Sequence, residues 1–321
     1  MRPHWLASNR SCYNRRRMSN TPSQTFERVA LVGKHQDSRV RESMLGLAAH
    51  LHERSRTPVV DVGVDLDFGS TVVERHAEAD FATQVDLVIA VGGDGTMLYA
   101  ARLATPGAVP LLGVNRGRLG FLADVSPREM FERLDDVLEG RYVRESRALL
   151  RARLVQPERE DLTALALNDV VVQKWETGRM LDFETWIDGQ YVNTHGGDGI
   201  VVATATGSTA YALSCGGPII HPELDALVLV PICPHTLSDR PIVVRSTSAV
   251  EIRLVERPDT KAQVTCDGTM LGDLEPSARL FIGPAEARVT LLHPRAHDYY
   301  RILRSKLHWG RGGLNRSGSD D

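Results

Sequence analysis

Gly92-Gly93-Asp94-Gly95-Thr96 places three glycines around one carboxylate and one hydroxyl, between the apolar run "DLVIAV" and the helix-like "MLYAARLA". Glycine lets a backbone approach a ligand closely, and a helix N-terminus favours anions. Asp94 opposes simple anion binding, because a carboxylate repels phosphate. It fits a site where it faces a hydroxyl or a divalent metal. Beside a hydroxyl it could accept a hydrogen bond and then a proton, which is general-base work. The bland alternative is a capping aspartate in a tight turn.

A second cluster spans residues 196–219, "GGDGIVVATATGSTAYALSCGGPI". It holds Asp198, then Thr206-Gly207-Ser208-Thr209-Ala210-Tyr211, then Ser214. Small hydroxyl residues among glycines offer backbone and side-chain donors without bulk, which suits phosphate or ribose oxygens. Tyr211 could stack on a base or pack the core, and a Gly/Ser/Thr loop alone is commonly just a loop. A third element is Asn168-Asp169, which leads directly into "VVVQK" and on local grounds reads as a turn start.

The elements that must hold these residues follow from periodicity. Residues 28–34, 57–63, 86–93 and 109–115 are short apolar runs, hence buried strands. Between the first two, Val40, Met44, Leu47 and Leu51 recur at three- and four-residue steps, predicting a helix over 38–54. Residues 126–140 read as another helix, with Ser126 as cap, Glu129 completing a capping box and Gly140 as the stop. This rhythm predicts a Rossmann-like α/β domain with a parallel sheet. The ligand crevice of such a sheet lies at the strands' C-terminal ends, where the 92–96 turn falls.

Near residue 145 the texture becomes β-branched, short and turn-separated. "FETWIDGQYVNT" is two runs joined by Asp188-Gly189, a strong hairpin signal. The expectation is an α/β plus all-β chain: an α/β domain over 26–146, an antiparallel β-sandwich-like domain over 147–284, and a C-terminal segment, 285–310, returning to the first domain. Residues 1–25, arginine-rich and without periodicity, read as a disordered leader, with Met18 a plausible start, and residues 311–321 as a flexible tail.

Of the 321 residues, 42 % are hydrophobic and 25 % charged, ample for a sizeable core. A formal net charge of −3 gives no argument for nucleic acid or membrane attachment. No apolar run approaches the roughly 20 residues of a membrane span. Cys12, Cys215, Cys233 and Cys266 form no C-x-x-C pair, and four scattered cysteines in a chain this long fit a reducing compartment.

In this order the three elements resemble the bacterial NAD kinase family. The resemblance extends to 111–125, 221–244, Cys266-Asp267-Gly268 and 291–310, so it covers roughly residues 27–310. It implies transfer of the γ-phosphate of ATP to the 2′-hydroxyl of the adenosine ribose of NAD, giving NADP and ADP, with Mg²⁺ or Mn²⁺ required. It also implies a cytoplasmic homodimer or homotetramer with an active site between domains. By the same resemblance, Asp94 is the candidate base. Asn168 and Asp169 would contact the adenosine part of NAD, and Asp198 the nicotinamide end. Gly93, Gly95, Thr209, Ala210, Tyr211 and Ser214 would line the NAD pocket. Gly92, Thr96, Asn115 and Arg116 would lie in the ATP phosphate region. Asp169 stands where many members have Glu, Ala205 where proline is usual, and Cys215 where alanine is common; no reacting group is lost.

Two rivals remain at this level. A lipid or sphingoid kinase shares the glycine-rich turn but lacks "TGSTAYALS". A catalytically dead NAD(H)-binding regulator would not need Asp94, Asn168 and Thr209 together. His195, His221, His235, His293 and His297 read as structural or substrate-edge residues rather than metal ligands. Pro294 argues against a helix that would pair His293 with His297. Trp175 and Trp186 read as sheet-packing residues.

Overall fold

The structure is a computed structural model describing residues 25–309, other than 118–119, 176–179, 237, 256–260 and 296. Nearly all of the expected leader and all of the expected tail lie outside the described residues. The chain divides into two compact units, one of residues 1–145 and 290–321, the other of residues 146–289.

The first unit is built on parallel strands β1 (Arg28–Gly33), β2 (Thr57–Asp61), β3 (Glu74–His76), β4 (Leu87–Gly92) and β5 (Leu111–Asn115). Their spatial order is β3-β2-β1-β4-β5, parallel throughout, with β3 the one strand that periodicity did not indicate. Every residue of β4 and β5 is buried, as expected for strands covered on both faces. Helix α1 (Ser38–Glu53) is capped by the Asp37 carboxylate, which accepts the Arg39 amide at 2.9 Å. Its buried face carries Val40, Met44, Leu47 and Leu51 at the spacing read from sequence, packed with Leu31 and Ile89 in one core. The strand order reverses between β1 and β4. The 92–96 turn therefore sits at the topological switch point, where sheets of this kind bind ligands.

One helix boundary differs from expectation. The α-helix after residue 126 runs only over Met130–Leu138. The Ser126 hydroxyl donates to the Glu129 carboxylate at 2.7 Å instead of capping a backbone amide, so the capping box is not formed. Gly140, at φ +79°, does stop the helix.

The second unit is an antiparallel β structure. One sheet has the order β13 (Ile242–Arg245), β12 (Ala226–Ile232), β11 (Gly199–Thr204), β8 (Asp169–Lys174), β15 (Ala262–Cys266), β16 (Thr269–Leu274). Against it lie β10 (Gln190–Gly197), β9 (Leu181–Ile187), β14 (Val250–Leu254) and the first part of β17 (Arg279–Pro294), with β6 (Tyr142–Val155) and β7 (Leu162–Ala166) alongside. Inward residues of both layers, among them Val170, Val172, Phe183, Ile200, Ile252 and Leu280, form one core, the signature of a sandwich. Asp188-Gly189 closes β9–β10 with both residues at positive φ, as the two-residue hairpin rule requires, and Asp267-Gly268 closes β15–β16 likewise. Trp186 packs as expected, with the Arg253 guanidinium 4.6 Å over its ring. Trp175 does not; it is 53 % exposed at the end of β8. The last residues of β17 belong to the first unit, where Leu291 and Leu292 pair in parallel with Leu111 and Leu112. A final helix, Tyr299–Leu307, follows.

Candidate active site

In the first unit, Gly93 is the N-cap of helix Asp94–Ala104, and no side chain caps it. Asp94 is therefore the first helical residue rather than the cap, and its carboxylate reaches sideways to another loop. Oδ2 accepts the Phe121 amide at 3.0 Å; Oδ1 accepts the Leu122 amide at 3.0 Å and the Ala123 amide at 3.4 Å. A carboxylate offers about four acceptor positions, so three amides leave one free, on Oδ2. Thr96 folds back over Gly92, where a Cβ would stand 2.8 Å from the Thr96 Cβ. Around Gly93 and Gly95, by contrast, a Cβ would meet no atom of the described residues within 4 Å.

Asn115 is buried, and its side chain holds the same loop: Nδ2 donates to the Ala123 carbonyl at 3.2 Å and Oδ1 accepts the Gly117 amide at 2.7 Å. Arg116 donates its amide to the Gly92 carbonyl at 3.0 Å and its guanidinium to Glu42 at 3.1 Å. Asp94 and Asn115 thus hold Gly117 and residues 121–123 between them.

In the second unit the motifs converge. The Asp267 carboxylate accepts the amides of Leu167 and Asn168 at 2.8 Å each and of Asp169 at 3.2 Å. The Asn168 carbonyl accepts the Thr204 amide at 2.9 Å. Thr204 donates its hydroxyl to the Leu167 carbonyl at 2.6 Å and accepts the Gly207 amide at 3.0 Å. Gly207 packs on the same backbone, where a Cβ would stand 2.7 Å from the Asn168 Cα. The Asp169 carboxylate accepts the Tyr211 backbone amide. Burial, with the neighbouring Asp267 charge adding to it, pushes Asp169 up to about 7. Asp267 lies in the Asp-Gly dipeptide that closes β15–β16, and this role of its carboxylate is set by residues far along the chain.

The 206–214 stretch mixes scaffold with surface. Ser208 is fully buried, accepting the Ile220 amide at 2.9 Å and donating to the Ala205 carbonyl at 2.7 Å. The buried Arg147 guanidinium donates to the Thr206 hydroxyl at 3.1 Å. Thr209 is partly exposed, its hydroxyl donating to the Thr206 carbonyl at 3.2 Å. Ala210 is likewise partly exposed, Ser214 is exposed and Tyr211 is 37 % exposed. Burial, with Cys215 hydrogen-bonded beside it, raises the Tyr211 phenol above its ordinary range. Asp198 pairs with Lys174 at 2.6 Å.

A further cluster lies where the chain returns to the first unit. The turn after β17 brings His297 back against His293, and their rings stack at 4.0 Å between centroids. Both Nδ1 atoms face the same oxygen, Asp124 Oδ2, at 3.0 and 2.6 Å. Burial alone would raise Asp124, but the two imidazoles outweigh it and hold the carboxyl well below the usual range. Burial alone would lower His293, but Asp124 and Glu145 raise it.

A Rossmann-like unit with a glycine-rich turn at its switch point, paired in the chain with a sandwich carrying a hydroxyl-rich loop, has the architecture of a nucleotide-binding protein. Comparison with known proteins identifies its family. Residues 19–142 match the ATP-NAD kinase N-terminal domain and residues 167–293 the ATP-NAD kinase C-terminal domain. The chain is 45 % identical over 286 residues to the NAD kinase of Thiobacillus denitrificans, covering 89 % of this chain and 98 % of that one. It is 45 % identical over 295 residues to that of Nitrosospira multiformis, covering 92 % and 99 %. Among solved structures, an NAD kinase from Archaeoglobus fulgidus in complex with ATP is 26 % identical with a TM-score of 0.65, covering 88 % of this chain and 98 % of that one. The fold is also that of yeast NADH kinase complexed with NADH, at a TM-score of 0.84, 24 % identity, and coverage of 92 % and 94 %. The chain belongs to the NAD kinase family.

Proposed function

We propose that this protein is an NAD kinase that moves the γ-phosphate of ATP to the 2′-hydroxyl of the adenosine ribose of NAD, giving NADP and ADP. The observation that carries the reading is the convergence in the second unit: the Asn168-Asp169 pair, the 204–211 loop and Asp267 are one hydrogen-bonded assembly. Such a rigid set of small polar groups suits the recognition of an adenosine ribose, with Asp169 accepting from hydroxyls. Thr209, Ala210, Tyr211 and Ser214 line the pocket in this reading, and Asp198, tied to Lys174, serves the nicotinamide end.

Asp94 is the proposed base. Its remaining acceptor position on Oδ2 suits one hydroxyl, and the three loop amides hold the carboxylate in place while that hydroxyl attacks. The clear space about Gly93 and Gly95 supports a ligand there, since no described residue demands glycine at those positions. Thr96 and Arg116 are the proposed donors toward the phosphates. Asn115, engaged with the loop, acts by holding it. Phosphoryl transfer rests on positioning and charge neutralisation. The divalent ion, Mg²⁺ or Mn²⁺, is proposed to enter bound to the phosphoryl donor as part of the substrate.

Among the described residues no helix is long and apolar enough to cross a membrane. The proposed setting is the cytoplasm, and the proposed assembly a homodimer or homotetramer. The reading is tested by incubating purified protein with NAD or NADH, Mg²⁺, and ATP or polyphosphate, and detecting NADP with an NADP-specific dehydrogenase. Folded protein that makes no NADP or NADPH with either donor sinks the proposal.

A further inference from the structure

We infer that Asp124, His293 and His297 form a transition-metal site of structural type, with zinc the fitting ion, distinct from the proposed nucleotide chemistry.

The ligand atoms of these three residues all lie within 4.8 Å of one another. Their side chains are nearly closed to solvent, at 7 % for Asp124, 1 % for His293 and 6 % for His297. Two imidazole nitrogens aimed at one carboxylate oxygen make a mixed N/O donor set, which suits zinc and its neighbours rather than the hard, water-carrying magnesium ion. Four-coordinate zinc with bonds of about 2.0–2.1 Å holds its donors roughly 3.3 Å apart. The present separations of 3.0 and 2.6 Å fall short of that value by about 0.3 and 0.7 Å, which opening of the side chains around a cation would supply.

Two further observations point the same way. Asp124 Oδ1 is buried and has no hydrogen-bond partner among the described residues. Buried carboxylate oxygens are ordinarily satisfied, and a second bond to the same cation would satisfy this one. The far nitrogen of His293, Nε2, also lacks an aligned hydrogen bond, yet stands 3.1 Å from Glu145 Oε2. A metal-ligating histidine commonly presents its other nitrogen to a carboxylate, which fixes its tautomer. Coordination through Nδ1 would leave Nε2–H to Glu145 in that way.

The site's place in the fold gives it a task. Asp124 follows directly on the three residues whose amides bind Asp94, and His293 and His297 flank the turn into the last helix. Lys306 of that helix lies 5.7 Å from the Phe121 ring of the same loop. A cation here would clasp the C-terminal segment to the loop on which Asp94 rests. The rival is a metal-free network in which protons alone join the two imidazoles to Asp124.

Full-length protein is stripped with a chelator, dialysed, and titrated with zinc against a chromophoric competitor; metal content is read by plasma mass spectrometry. The expected result is one equivalent per chain, a melting temperature raised by zinc, and at least tenfold weaker binding in folded His297→Ala and Asp124→Asn. Cobalt substituted into the unaltered protein should show the d–d bands of a four-coordinate N/O site, and X-ray absorption should count two imidazoles per metal. Those two readings stand even if the variants fail to fold. Substoichiometric zinc, equal binding in folded variants, or a metal without imidazole ligands overturns the inference.

Discussion

Asp94 and Gly120 are in steric register: a methyl group on Gly120 would collide with Asp94 Oδ1 and stand 2.8 Å from Cγ. The collision involves the carboxylate that also accepts the amides of Phe121, Leu122 and Ala123, so it has little room to retreat. Gly120→Ala should therefore lower kcat at least tenfold while leaving NAD affinity within threefold. Asp94→Ala should remove more, about 10²- to 10⁴-fold, the range of a lost general base. Combined, the two should cost little more than Asp94→Ala alone, because neighbours sharing one interaction do not add. Steady-state kinetics on the three variants decide it, and unchanged turnover in Asp94→Ala would remove Asp94 as the base.

Gly93 is the opposite case. It has extended backbone, φ −109°, and a Cβ there meets no atom of the described residues within 4 Å. Gly93→Ala should fold with a stability within about 0.5 kcal/mol of the parent, as substitutions away from packed features do. It should nonetheless raise KM for NAD several-fold. An unchanged KM would show that no ligand approaches this backbone.

Asp169 gives the protein a pH signature. Its folded-state value, about 7, lies above the ordinary 3.8, so between these values the folded state holds a proton that the unfolded state releases. Stability from this group is full below about pH 4 and is lost as pH rises toward 7. At about 1.4 kcal/mol per unit the loss is at most about 4 kcal/mol. Urea midpoints measured from pH 4.5 to 7.5 should fall less steeply in Asp169→Asn than in the parent. Parallel curves would show that Asp169 does not carry the raised value.

Ser208 and Thr209 are adjacent hydroxyls with different work. Ser208→Ala leaves the buried Ile220 amide without its acceptor and should cost about 1–3 kcal/mol, with kcat and KM little changed well below the melting point. Thr209→Ala should leave stability nearly unaltered and raise KM for NAD. Thermal melts and kinetics on the pair separate the two roles, and interchanged results would reverse them.

Much of this molecule is legible in its sequence because the relevant signals are local. Apolar runs between charges mark β1, β2, β4 and β5. The three- and four-residue spacing from Val40 to Leu51 marks α1 to within a residue, and Asp188-Gly189 marks its hairpin. What escapes is what depends on distant partners. Ser126 has the right type for a cap, but the Glu129 carboxylate competes for its hydroxyl. Asp267 is locally explained by its hairpin, and its three acceptor bonds to residues about a hundred positions away leave no trace in the pattern. His293 and His297 do not meet as an i, i+4 pair on a helix; the turn around Pro294 brings the rings together, so an argument from helical geometry misses them.

The parallel pairing of Leu291 and Leu292 with Leu111 and Leu112 has a consequence during synthesis. Strand β5 is translated long before its neighbour exists, and all of residues 146–289 must emerge from the ribosome in between. Until then, β5 presents an open edge and an uncovered apolar row, the kind of surface that chaperones hold and that aggregates form on. The sandwich, whose residues are contiguous, can close first. The unit that begins the polypeptide is thus the last to be finished, and a ribosome stalled anywhere before residue 291 holds a chain whose parallel sheet is incomplete.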